Sequence, residues 1–308
     1  GVVIRSCLPK TAWPPTYICV ISKADRDPRS VCGSVKAEKV IFASHFPFID
    51  FPGMYFPRMH QERSYVLALE YTGDLQGMYI GDGQDSLSLR QYGNYLPLGG
   101  QGHRTGENKE GGRYAALEKA AERFYPGSRK IAYWSAQDCI TADRVPFIGQ
   151  YASERPDWYV ATGFQKWGMT SSMVSAMLLT DMICGKENPY AEVFSPSRFS
   201  AEELPQIVKD SGKAVKGLTK RFFYIPENTL NRIEPGQGAV VETARGKVGV
   251  YRSEEGQVYQ VDVACPHLGC HLTWNPDEKT WDCPCHGSRF DYKGNLMGGP
   301  AQEGIQYE

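Results

Sequence analysis

Cys265-Pro266-His267-Leu268-Gly269-Cys270 and Cys283-Pro284-Cys285-His286-Gly287-Ser288 are the two stretches that decide the reading of this chain. Each offers one thiolate and one imidazole within a short Gly-containing loop, with a further cysteine in each, and together they bring two Cys and two His to a common point. Zinc modules usually pair one Cys-x-x-Cys unit with another. Here the spacings are Cys-x-His and Cys-x-x-His, so zinc is the rival rather than the leading assignment. Upstream, Ala239–Thr243, Val248–Tyr251 and Val258–Val263 are short runs rich in β-branched residues, separated by turns that contain glycine. They predict a small all-β domain from about residue 227 to 308 that presents both loops.

The combined pattern resembles the Rieske family. Rieske centres are [2Fe-2S] clusters in which two Cys hold one iron and two His the other, and the neutral imidazoles raise the reduction potential above that of all-cysteine ferredoxins. The resemblance implies Cys265 and Cys283 on one iron and His267 and His286 on the other. It also implies a disulfide between Cys270 and Cys285, as in Rieske proteins of respiratory chains and unlike ring-hydroxylating oxygenases. Gly269 and Gly287 are expected to let backbone amides approach the cluster sulfurs, and Ser288 to add a hydroxyl donor. Where high-potential respiratory relatives place a Tyr, this chain has Phe290, which implies a lower potential. Gly298-Gly299-Pro300 resembles the third loop that covers the cluster, and His271 reads as a surface residue.

Before the β domain the texture changes. Lys39-Val40-Ile41-Phe42-Ala43 reads as a buried strand feeding the loop at His45, while Gly77–Ile80 and Leu87–Arg90 suggest hairpins of an antiparallel sheet. Tyr114, Leu117, Ala121 and Phe124 recur at helical spacing up to Pro126-Gly127. A second helix runs from Met169 to Ile183 with Gly185 as its stop, and Met173 and Met177 are expected in its core face. Ser200 followed by Glu203 has the form of a capping box, so residues 200–226 are expected to be a linker helix.

Asp143–Gly149, then Trp158–Gly163-Phe164-Gln165-Lys166-Trp167-Gly168-Met169-Thr170, resembles the flavin-contacting segment of the D-amino-acid oxidase and glycine oxidase superfamily. There a strand ends in a Gly-rich turn and the next helix points its N-terminus at the flavin. The resemblance implies FAD, with Gly163, Phe164, Trp167, Gly168, Met169 and Thr170 as the contacting residues, and it makes residues 60–135 a substrate-binding sheet. Arg90, His103 and Arg104 are candidate clamps for a substrate carboxylate. One departure is plain: no G-x-G-x-x-G follows a strand anywhere in the sequence, although that family holds the FAD pyrophosphate with such a turn. With Gly1 in place of Met, this suggests a processed or truncated chain that lacks its nucleotide-binding segment.

The expected fold is therefore an α+β portion over residues 1–199, a partial FAD-dependent oxidoreductase fold with an antiparallel substrate sheet. The linker and the all-β Rieske domain follow it. Lys plus Arg number 34 against 35 Asp plus Glu, interspersed, so no nucleic-acid footprint is present. No window is long and apolar enough for a membrane span, and the expected location is cytoplasmic. Of nine cysteines only the last four have ligand-like spacing; Cys7, Cys19, Cys32, Cys139 and Cys184 read as isolated thiols.

Three functions compete at this point. The first is an oxidoreductase in which an amine or amino acid reduces FAD and the cluster relays electrons to an external donor or acceptor protein. The second is a non-enzymatic Rieske electron carrier whose N-terminal part is scaffold. A Rieske oxygenase is disfavoured, because no 2-His-1-carboxylate site is evident.

Overall fold

A computed structural model of the chain describes residues 2–3, 18–21, 37–83, 86–198, 232–244 and 246–307, together with the single positions Pro205, Val208, Gly212, Val215, Lys216 and Thr219. Backbone proximity divides the chain into two compact units. One comprises residues 1–60 and 138–212, the other residues 61–137 and 213–308.

The first unit is built on a five-stranded sheet in the order Val2–Val3, Ile18–Ile21, Lys39–Phe42, Arg155–Thr162, Phe147–Ala152. Ile18–Ile21, Lys39–Phe42 and Arg155–Thr162 run parallel. The strand expected at Lys39–Ala43 is thus present in a parallel setting, where both faces are covered and a continuous apolar run is the natural sequence. Phe42, Tyr55, Phe147, Tyr151 and Val160 form its buried centre. The Gly168–Ile183 helix packs Leu178 and Leu179 against Ile148, Tyr159 and Ala161. Two methionines depart from expectation: Met173 and Met177 are exposed, while Ser171, Ser175, Leu178 and Leu179 are buried. The helix is apolar on more than one side, so periodicity alone selects a stripe without saying which stripe meets the sheet.

The second unit holds an antiparallel sheet in the order Met78–Ile80, Ser88–Arg90, Tyr95–Arg104, Met59–Glu70, Arg129–Thr141. The expected hairpin is there, with Tyr79 opposite Leu89. On one face of the long Met59–Glu70 strand lie Gln61, Arg63, Tyr65, Leu67 and Leu69, all buried. The Arg113–Phe124 helix closes over Leu67, Leu69, Leu96 and Leu98 through Leu117 and Ala121, whereas Phe124, expected on that face, is exposed. Gly112 provides no side-chain cap for this helix, and the carboxylate of Asp277 accepts the amides of Gly112 and Arg113 at 3.0 Å each. A negative charge at the N-terminus satisfies orphan donors and opposes the helix dipole.

The C-terminal segment is all-β, as expected. A three-stranded antiparallel sheet, Gly238–Thr243, Gly246–Arg252 and Val258–Asp262, is followed by a four-stranded one, Thr273–Asn275, Thr280–Asp282, Arg289–Asp291 and Leu296–Gly298. Trp274, Trp281, Phe290 and Tyr251 fill the core shared with the four cysteines of the two loops. Most of the expected linker helix lies outside the described residues, as do Cys7 and Cys32. Among the described linker positions, Pro205, Val208, Gly212, Val215, Lys216 and Thr219 are helical.

Candidate metal centre

The two Gly-containing loops are closed by the same pair of backbone hydrogen bonds. In the first, the Cys265 amide donates to the Cys270 carbonyl at 2.9 Å and the Gly269 amide to the Cys265 carbonyl at 2.8 Å. In the second, the Cys283 amide donates to Ser288 at 2.8 Å and the Gly287 amide to Cys283 at 3.0 Å. Gly269 and Gly287 occupy equivalent places with φ of 75° and 83°, a left-handed conformation that side chains resist. Their amides are consumed in closing the turns. The donors that reach the thiols are instead the amides of His267 and Leu268 at Cys265, and of Cys285 and His286 at Cys283. The glycines make the turn, and the turn aims its neighbours.

The Nδ1 atoms of His267 and His286 face each other at 3.2 Å. Two nitrogen ligands about 2.0–2.1 Å from one metal in a tetrahedron lie about 3.3 Å apart, so the imidazoles are already at ligand spacing. The Cys265 and Cys283 thiols are likewise adjacent: a hydrogen bond from Cys283 is the main influence that holds Cys265 below the usual thiol range. The same bond and burial push Cys283 up. The Ser288 hydroxyl adds a contact to Cys265 and accepts the Ala301 amide at 2.9 Å. This tethers the Gly298–Pro300 loop to the second cysteine loop. The donor set therefore brings together two thiols and two imidazoles, the donor types of a Rieske cluster.

Cys270 and Cys285 are joined in a disulfide across 15 residues. Their sulfurs lie within 4.8 Å of that of Cys283, but atoms bonded to each other have no thiolate to offer a metal. In the chain-entropy account, closing a loop of this length stabilises the folded state by about 3 kcal/mol. A Cys270→Ala, Cys285→Ala double variant is expected to lose about that amount, read as a fall in the urea midpoint equal to the fall that reductant produces in the parent protein.

His271 was expected at the surface and is instead buried, opposite Ala264 in an antiparallel bridge that closes the first loop. His286 is 5% exposed, whereas His267 is only half-buried and Leu268 beside it is open to solvent. The two imidazoles are thus unequal in access.

Around the four-stranded sheet lies a buried charge cluster that sequence reading missed. Glu278 bonds Arg63 Nε at 3.0 Å and Arg289 Nη2 at 2.8 Å, and Arg289 also bonds Asp282 at 3.0 Å. Tyr65 donates to Glu278 at 3.2 Å, and Asn108 links Asn275 and Asp277 at 3.0 and 2.9 Å. Burial alone raises the Glu278 carboxyl, but Arg289 and Arg63 outweigh it and hold the group below its ordinary range.

The cations proposed as a substrate clamp do not come together. Arg104 is buried and donates to the Cys285 carbonyl at 3.2 Å. His103 contacts the Tyr65 hydroxyl at 3.0 Å and its neighbour's carbonyl at 2.8 Å, while Arg90 stands exposed on the Ser88–Arg90 strand. Strand alternation sends them to different surroundings, which a count of cations does not show.

In the first unit, Phe164, Trp167 and Thr170 line a cavity of about 280 Å³ with Arg144 and Ile148. Gly163 has a φ of 73°, and a Cβ there would meet Thr141 Cγ2 at 2.4 Å, so glycine is required by packing within the chain. Gly168 has open space around it, and Trp167 and Met169 are exposed. Of the expected flavin residues, Gly168, Met169 and Trp167 thus leave the start of the helix accessible.

Residues 20–182 match the family described as FAD dependent oxidoreductase, and residues 224–307 match the Rieske [2Fe-2S] domain. A protein of Bacillus subtilis (strain 168), carried under the provisional name Rieske 2Fe-2S iron-sulfur protein YhfW, is 42% identical over 278 residues. That match covers 87% of this chain and 54% of the relative, so the chain spans about half the relative's length. Glycine oxidase from Geobacillus kaustophilus is 21% identical with a TM-score of 0.46, over 54% of this chain and 46% of that one. The plasma membrane Rieske protein PetC3 from Synechocystis PCC 6803 is 28% identical with a TM-score of 0.24, over 27% of this chain and 84% of that one. Among the described residues no helix is long and apolar enough to cross a membrane.

Proposed function

We propose a function from one premise: the chain belongs to the family of FAD-dependent oxidoreductases and carries a C-terminal Rieske [2Fe-2S] domain. In this reading an amine or amino acid is oxidised at the flavin, and its two electrons leave one at a time through the cluster to an external acceptor. FAD supplies two-electron acceptance when bound, and the cluster supplies one-electron carriage. Cys265 and Cys283 are assigned to one iron, His267 and His286 to the other, and Cys270–Cys285 ties their loops. The observation that carries this assignment is the facing pair of imidazole Nδ1 atoms at 3.2 Å beside the hydrogen-bonded thiols.

The chain's own residues do the positioning. Paired turns with glycine in the left-handed region aim four amides at the ligand sulfurs, and hydrogen bonds to sulfur favour the more negative, reduced cluster. Phe290, buried and apolar, offers no hydroxyl there, so the expected potential lies below that of respiratory relatives with a Tyr. At the flavin end, Trp167, Gly168, Met169 and Thr170 form the accessible start of a helix whose amides suit the edge where negative charge collects on reduction.

One observation favours the second reading, a non-enzymatic carrier: Arg104 and His103 are engaged within their own unit and hold no open clamp. Anaerobic addition of small amines and amino acids to purified protein separates the two readings. Bleaching of a flavin absorption band with growth of a reduced-Rieske paramagnetic signal is expected for the oxidoreductase. A cluster signal without any flavin band contradicts it and leaves the carrier.

A further inference from the structure

The carbonyls of three consecutive residues in the second cysteine loop are each held by a side chain from the antiparallel sheet. Arg104 donates to Cys285 at 3.2 Å, Gln61 to His286 at 2.7 Å, and Gln137 to Gly287 at 2.8 Å. Gln61 also donates to the Gly299 carbonyl at 3.0 Å, so one amide group fastens two of the three cluster loops. The relay is directional. The Thr105 hydroxyl donates to the Gln137 carbonyl oxygen at 3.1 Å, Gln137 donates to the Gln61 carbonyl oxygen, and Gln61 spends both N–H groups on the loops. Every amide orientation in the row is therefore set by its neighbours.

Steric fit points the same way. A Cβ on Gly287 would lie 2.6 Å from Gln61 Cβ, and one on Gly106 would lie 2.6 Å from the Pro284 backbone, so both approaches need glycine. Gln61 and Arg104 are almost fully buried. These side chains bond the backbone of the loop. They fix the peptide planes on either side of His286 and cover that face of the loop, while His267 keeps partial exposure.

We propose that Gln61, Gln137 and Arg104 are positioning residues that set the redox properties of the cluster from the sheet side. This rests on the Rieske assignment made above. Hydrogen bonds that draw electron density from loop carbonyls, and a guanidinium cation beside them, favour the added electron of the reduced state. Removing them makes reduction harder.

The test uses the full chain loaded with iron and sulfide. Gln61→Met keeps length and volume but cannot donate, and Gln137→Met repeats the change at a half-buried position. Each is expected to shift the reduction equilibrium against the reduced form by about tenfold, about 59 mV for a one-electron couple, and to alter the g-values of the reduced signal. Arg90→Ala, on the exposed strand, is expected to leave both unchanged. Loss of iron at an unchanged urea midpoint also supports a hold on the loop. A loaded Gln61→Met protein with the parent potential and spectrum overturns the proposal; if Gln61→Met does not fold, Gln137→Met decides by the same criterion. Failure of the underlying assignment is recognised separately, since the parent protein would then show no reduced-Rieske signal at all.

Discussion

Replacing Glu278 by Gln is expected to destabilise the unit that carries the cluster loops by about 3–5 kcal/mol. That is the usual consequence of removing one partner from a buried ion pair and leaving the other charge uncompensated. Here two cations are left, because Arg63 and Arg289 both depend on the carboxylate and are 4% and 8% exposed in their side chains. Arg289 retains Asp282, so the larger part of the effect falls on Arg63. The pH dependence has a definite sign. Burial raises the Glu278 carboxyl, but Arg289 and Arg63 depress it below its ordinary value in the folded protein. Its stabilisation is therefore complete above the unfolded value of about 4.3 and is lost as pH falls through the lower folded value. Urea unfolding of parent and variant should differ most near neutrality and converge in acid. Equal midpoints at pH 7 would remove Glu278 as the centre of the charge cluster.

His286→Cys is expected to retain the cluster and to lower its potential substantially, toward the about −400 mV of all-cysteine ferredoxins. The substituted ligand carries a negative charge where a neutral imidazole stood, so the oxidised state gains. The loop should survive, because Gln61 holds the backbone carbonyl of residue 286 and not its side chain. A redox titration followed by paramagnetic resonance checks this. An unshifted midpoint would take His286 out of the ligand set.

The grouping of the two thiols and two imidazoles was legible in the sequence because within each loop they lie a few residues apart. Cys265, His267, Gly269 and Cys270 sit on one tight turn, and a turn of that kind can be read from local spacing. What surrounds the centre was not legible. Gln61 reaches His286 over 225 residues and Gln137 reaches Gly287 over 150, distances at which no local pattern operates. Asp277 caps a helix that begins at Arg113, again with no adjacent signal. One signal did exist: Gln61-x-Arg63-x-Tyr65 continues the face on which Leu67 and Leu69 are buried. Polar residues on an inward face require partners, and a strand that turns polar toward one end announces a second surface packed there. Likewise the helix from Gly168 to Ile183 was readable as a helix but not by face, because its sequence offers two apolar stripes. His271 was misplaced because a residue one step past a cysteine loop looks like loop, whereas the bridge to Ala264 buries it.

The two cysteine loops are proposed to hold a [2Fe-2S] centre with mixed thiolate and imidazole ligation. Metal and acid-labile sulfide analysis of the purified protein, with paramagnetic resonance after dithionite reduction, tests it most directly. Two irons and two sulfides per chain, with a reduced-Rieske signal, are the expected result. One zinc per chain, with neither iron nor sulfide nor that signal, would contradict it.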